Sequence, residues 1–87
     1  SRVLAKFYSQ MADLLRAGVP LLRALDILQR QSTSPVLAEI IVDIRRQVAD
    51  GRTLADSMAR HERVFGELAI SMIRAGQEGG FIEDVFK

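Results

Sequence analysis

Residues 7–25 read FYSQMADLLRAGVPLLRAL, and they hold most of one helix, a reversal of the chain and the start of another. Phe7, Tyr8, Met11, Leu14 and Leu15, preceded by Leu4, recur at helical spacing, with Lys6, Ser9, Gln10, Asp13 and Arg16 between them. That pattern predicts an amphipathic helix with one buried face. Gly18 suits the left-handed position that closes a helix, and Pro20 suits the first turn of the next, where its missing N–H is no loss. A helical hairpin results. Its second arm presents Leu21, Ala24, Leu25 and Leu28 on one face, with Leu22 and Ile27 on the flanks, and ends near Gln31.

Outward from this hairpin the chain continues as helices. Ser32, Thr33 and Ser34 make a polar break, with Ser34 placed to cap a third helix and Pro35 in its first turn. Leu37, Ile40, Ile41, Ile44 and Val48 are its apolar stripe, and Asp43 and Arg46 can pair at i,i+3 on the other side. Asp50 and Gly51 end it, and Thr53 can cap a short fourth helix with Leu54, Ala55 and Met58. His61 to Gly66 read as a loop. A fifth helix, Glu67 to Glu78, is apolar nearly all round at its start, through Leu68, Ala69, Ile70, Met72 and Ile73; such a helix is central or packs on a partner. Gly79 and Gly80 break it, and Phe81, Ile82, Val85 and Phe86 begin a sixth helix cut off at the chain end. No strand is expected, because the β-branched residues sit at helical and not alternating positions.

Gly18, Leu21, Ala24 and Leu25 share their offsets with Gly51, Leu54, Ser57 and Met58, and a looser copy runs Gly79, Ile82, Val85 and Phe86. Each copy is a turn needing no Cβ, followed by a helix whose side chains pack down on its predecessor. The intervals are unequal, which disfavours a solenoid with its nearly fixed period. The expected fold is all-α: a compact six-helix bundle built from helical hairpins, with the last helix truncated.

Composition excludes several roles. The 87 residues make one domain, with 48% hydrophobic and 26% charged residues, an ordinary globular balance. A net charge of +1 is too small for wholesale binding of nucleic acid. No cysteine is present, so neither a disulfide framework nor thiolate metal sites exist. No apolar run approaches the roughly 20 residues that cross a bilayer.

Motifs for chemistry are sparse. His61, the one histidine, is read as a solvated loop residue, since a catalytic or metal site needs a constellation. The serines lie in caps or helices, without a nucleophile elbow. Gly76, Gly79 and Gly80, with Gly18, Pro20 and Gly51, are read as structural turns. Glu78, Glu83 and Asp84 surround the last turn and could offer oxygen ligands to a weakly held calcium ion, against the plainer reading of an acidic solvated turn. Arg45, Arg46, Arg52, Arg60 and Arg63 gather near one end of the third and fourth helices. Acids among them balance their charge, so they form either a mixed solvated face or a docking patch. Tyr8 and Phe65 are isolated in sequence and suggest no stacking platform.

Three stretches carry a family resemblance. Residues 7–21 resemble the opening signature of the inner-membrane platform proteins of type II secretion and type IV pilus assembly, an aromatic residue, Gln-Leu-Ala, paired leucines, then Ala-Gly-Val/Leu-Pro-Leu. Residues 48–58 followed by Val64 and Phe65 are similar to the family's central Gly-x-x-Leu motif and the phenylalanine ending the next loop. Residues 72–82 look like its Ala-Gly-Glu-x-(Ser/Gly)-Gly turn. Three departures stand out: Met11 for the commoner leucine, Gln77 for glutamate and Gly66 for proline.

The resemblance implies a cytoplasmic F domain, one of two six-helix copies in a polytopic bacterial inner-membrane protein, with Gln10 pointing to the first copy. It further implies a scaffold and not an enzyme, coupling an assembly ATPase to insertion of pilin-like subunits; no cofactor is expected apart from the weakly held calcium considered at Glu78, Glu83 and Asp84. The partners implied are that ATPase and other inner-membrane components, with a homodimer as a candidate and the membrane reached through segments outside these 87 residues. Ile70, Met72 and Ile73, with Arg45, Arg46 and Arg52, are the candidate interaction residues. The alternative is a tetratricopeptide-like repeat binding an extended peptide, which would require a regular period in flanking sequence.

Overall fold

The computed structural model describes residues 2–79. Among these described residues six helices follow one another: α1 (Arg2–Arg16), α2 (Leu21–Gln31), α3 (Pro35–Ala49), α4 (Leu54–Ala59), α5 (Glu62–Phe65) and α6 (Glu67–Gly79). No strand occurs among the described residues. Extents of 32 × 27 × 27 Å are those of a closed bundle and not of an elongated stack. The sixth helix expected from Phe81 onward, the rest of the third glycine copy after Gly79, and Gly80, Glu83 and Asp84 lie outside the described residues; Gly79 itself, expected as a turn, is helical as the last residue of α6. The sixth helix observed has another origin: Glu62–Phe65, expected as loop, forms the single turn α5.

The apolar stripes all turn inward. Phe7, Met11 and Ala12 of α1, Ala24, Leu25 and Leu28 of α2, and Leu37, Ile40, Ile41 and Ile44 of α3 are buried. Leu54, Ala55 and Met58 of α4, Phe65 of α5, and Ile70 and Ile73 of α6 complete the same cluster. Helix α2 packs most extensively on α3, and α4 on α6, so two helix pairs share one interior. The rings of Phe7, Tyr8 and Phe65 meet there, with centroids 5.6, 6.0 and 6.4 Å apart. Separation along the chain made Tyr8 and Phe65 look isolated; folding places them side by side at distances favourable for tilted rings.

Both glycine turns have the same hydrogen bonds. Gly18 has φ +87° and Gly51 φ +100°. At the first, Gly18 N–H donates to the Leu15 carbonyl and Val19 N–H to the Leu14 carbonyl, both at 3.0 Å. At the second, Gly51 N–H donates to Val48 and Arg52 N–H to Gln47, again at 3.0 Å. These pairs satisfy the last carbonyls of α1 and α3 and turn the chain sharply through a left-handed residue. Six and seven residues later, Ala24 and Leu25 in one copy and Ser57 and Met58 in the other are fully buried. The Ser57 hydroxyl donates 2.8 Å to the Thr53 carbonyl, so a polar residue at that small-residue position leaves no unmet donor.

The remaining helix ends follow local chemistry. Ser34 Oγ accepts from Leu37 N–H at 3.2 Å and Thr53 Oγ1 from Asp56 N–H at 3.0 Å, as capping requires. Pro20 stands one residue before α2 and not within its first turn; its carbonyl accepts the first helical bond, from Ala24 N–H at 2.9 Å. Gly76 is no turn. It lies inside α6, buried in line with Ile70 and Ile73. Gly66 joins α5 to α6 at φ 86°, ψ 152°, a region open essentially to glycine alone. The proline of the family pattern, fixed near φ −65°, is incompatible with this junction.

A Cβ built at Gly51 meets no atom within 4 Å, so substitution there is penalised by backbone conformation and not by crowding. Gly51→Val is expected to lower the unfolding free energy by about 1–3 kcal/mol, and Gly51→Asn by less, because asparagine tolerates the left-handed region. Urea titration of both variants checks this; equal losses, or no loss, would contradict the assigned dihedral.

Candidate functional site

Helix α6 has two faces of different fate. Ile70 is 7% and Ile73 2% exposed, whereas Leu68 is 75% and Met72 48% exposed. Leu68, Met72 and Ala75 fall at i, i+4 and i+7 and so align on one side, with all three classed as exposed. The sequence expectation grouped Ile70, Met72 and Ile73 as one interaction surface. Ile70 and Ile73 are instead core residues, and only Met72 of the three reaches solvent. Leu68, passed over as an interaction residue, is the most exposed large apolar side chain described. The i,i+4 spacing of Leu68 and Met72 could have flagged the stripe, but a segment apolar on all sides does not say which side turns out.

Two polar contacts fix that choice by clamping α6 to the start of α4. Gln77 Oε1 accepts from Ala55 N–H at 2.7 Å, meeting one of the donors that every helix start leaves unpaired. The amide at position 77, where the family pattern has a carboxylate, therefore serves as a long-range cap. Arg74 Nη1 donates to Asp56 Oδ1 at 2.6 Å. That hydrogen bond first, and the charges of Arg74 and Arg52, hold the Asp56 carboxyl below its usual range.

A second polar cluster joins α3 to the α4–α5 junction. Asp43 Oδ2 lies 2.6 Å from His61 Nε2 and accepts from Gln47 Nε2 at 2.6 Å, while Oδ1 pairs with Arg46. His61, expected as a solvated loop residue, has a side chain only 22% exposed. The hydrogen bond from His61 is the main influence holding the Asp43 carboxyl low, aided by Gln47 and Arg46 and opposed by burial. The cluster is a structural tie between α3 and the α4–α5 junction.

The arginines do not form one basic patch. Arg45 and Arg46 line a shallow groove between α2 and α3 together with Asp26 and Asp50. Arg52 stands apart, close enough to act on Asp56. Glu78 is exposed near the end of α6, and among the described residues no group of three His, Cys, Asp or Glu side chains could hold a metal ion. What this surface presents is an apolar stripe on α6 and mixed charge around α3.

The Asp43 tie has a pH signature. Folded Asp43 releases its proton at lower pH than it does unfolded, so its stabilisation is complete above the ordinary carboxylate range near pH ~4. It is lost as pH falls through the lower folded value. Asp43→Asn is expected to cost about 1–2 kcal/mol at pH 7 and to flatten the acid limb of stability against pH. Urea unfolding from about pH 3 to about pH 7 checks it, since the slope of stability against pH counts the difference in bound protons, roughly one group here; identical acid limbs in variant and parent would refute the tie.

Comparison with known proteins places this surface in context. The family described as "Type II secretion system (T2SS), protein F" matches residues 7–87. A type IV pilus assembly protein PilC of Myxococcus xanthus is 35% identical over 91% of this chain and 19% of its own length. Type II secretion system protein F of Vibrio cholerae is 36% identical over 97% of the chain and 21% of its own length, and that of Xanthomonas campestris pv. campestris 38% over 97% and 21%. The chain thus spans about a fifth of the length of these relatives. With a family match over all but its first six residues, and with both secretion and pilus assembly proteins among its relatives, this chain belongs to the type II secretion system protein F family.

Proposed function

We propose that this chain is a protein-docking scaffold domain, one of two copies in a multi-pass platform protein of the bacterial inner membrane, standing on the cytoplasmic face. In this reading it transmits the work of an assembly ATPase to the insertion of subunits into a pseudopilus or pilus, and it performs no chemistry of its own. The membrane is reached by other segments of the longer protein. No described helix is long and apolar enough to cross a bilayer, and the relatives extend far beyond the matched stretch.

The observation that supports the reading is the outer stripe of α6. Leu68 and Met72 remain exposed although the same helix is held firmly by Ile70, Ile73, Gln77 and Arg74. An apolar stripe on a rigid support suits helix-on-helix association, with a second copy or with the ATPase, better than it suits exposure to water. Mixed charge around α3 adds steering more than strength.

The test uses Leu68→Asp with Met72→Asp, since both side chains lie outside the core. The double variant is expected to melt within a few degrees of the parent, yet to lose self-association in sedimentation velocity or capture of the cognate ATPase in a binding assay, by about tenfold or more. Undiminished binding in both assays would acquit α6. Ile70→Asp, by contrast, buries a charge and is expected to unfold the domain.

A further inference from the structure

A separate recess opens between the first two turns of α1, the end of α2 and the turn into α3. It holds about 190 Å³, enough for a side chain of the size of leucine or phenylalanine. Phe7, Leu28, Leu37 and Ile41 form its apolar floor, and the charged members of its lining are Arg2 and Lys6, without an acid among the lining residues. Both cations are exposed and neither takes part in an ion pair among the described residues, where Asp13, Asp26, Asp43 and Asp56 pair with other partners. In a domain whose total charge is only +1, two unpaired cations over an apolar recess are a local asymmetry that the bundle itself does not use.

We propose that this recess docks an acidic segment of a partner protein, with one leucine-sized side chain entering the pocket and neighbouring carboxylates pairing with Arg2 and Lys6. Charge complementarity selects the anionic partner, because a basic segment would place like charges at the rim. Concavity selects a peptide over a lipid surface. A membrane is met by apolar side chains that protrude, and here the apolar groups line a hollow, while the low net charge gives weak attraction to anionic lipid. The site stands on α1 and the α2–α3 turn and goes beyond the reading of α6, so either surface can fail without the other.

The test is fluorescence anisotropy on the 87-residue chain with a short labelled peptide carrying a central leucine flanked by aspartates and glutamates. Two control peptides replace the acids by lysines or the leucine by serine, and phosphatidylglycerol vesicles serve as the lipid arm. The acidic leucine peptide is expected to bind, with affinity falling as salt rises. Arg2→Glu with Lys6→Glu is expected to weaken it about tenfold or more. Thr33→Trp, a bulky side chain at an exposed rim position, is expected to weaken it while leaving the rim charges intact. Circular dichroism of both variants should match the parent, since every altered residue is exposed. The proposal is overturned by absence of peptide binding at millimolar concentration, by equal binding of either control peptide, by indifference to both variants, or by binding to vesicles alone.

Discussion

Met11, Leu25, Ile41, Ile44, Met58 and Ile73 are sealed from solvent, and the contact among these six side chains, drawn from five helices, is what the remaining structure depends on. Helices of 11 to 15 residues are marginal alone in water, and a six-residue helix such as α4 could not persist without tertiary support. Burying each large side chain contributes about 1.5–3 kcal/mol, but ordering the chain consumes nearly all of the total. The glycine turns, caps and polar ties therefore matter less as sources of stability than as selectors of one arrangement among several that would hide the same apolar area. Gly18 and Gly51 decide where the chain reverses. Gln77 and Arg74 decide which side of α6 faces water.

Much of this was legible in the sequence because its causes are local. The boundaries of α1, α2 and α3 follow from stripes at helical spacing and from Ser34, Pro35, Gly18 and Gly51 beside them. The repeated glycine pattern pointed to three hairpins, and the two whose turns lie within the described residues have the same paired hydrogen bonds there. The family signature was readable for the same reason: its motifs lie largely at turns, where backbone geometry restricts the residue. What escaped depends on residues far apart in the chain. Asp43 and His61 are 18 residues apart, as are Asp56 and Arg74, and Ala55 and Gln77 are 22 apart; none of these spacings has a local signature. The single turn α5 has too few residues to show periodicity. Ile70 and Ile73 could not be told from Leu68 and Met72, since a helix start that is apolar on every side leaves its inward face to be chosen by its neighbours.

The functional picture follows from the same division. The relatives include both secretion and pilus assembly proteins, and in this chain the shape is held by one closed interior. The surface carries an apolar stripe on α6, mixed charge around α3, and a basic rim over an apolar recess beside α1. Of the three departures from the family pattern, Met11 lies in the core and the other two fall at joints. Gln77 keeps an acceptor at the start of α4 without the charge, and Gly66 trades a stiff junction for one that only glycine can adopt.

The account is tested most directly by the three methionines, which sample the core and the proposed docking face in one experiment. Met11 and Met58 are 0% exposed and Met72 is 48% exposed, so brief peroxide treatment of dilute folded protein, read by peptide mass spectrometry, reports all three positions together. Rapid conversion of Met72 to the sulfoxide, with Met11 and Met58 protected until denaturant is added, is the result expected. Oxidation of Met11 or Met58 as fast as Met72, or protection of Met72 at concentrations too low for association, would contradict the shared core and the outward face of α6.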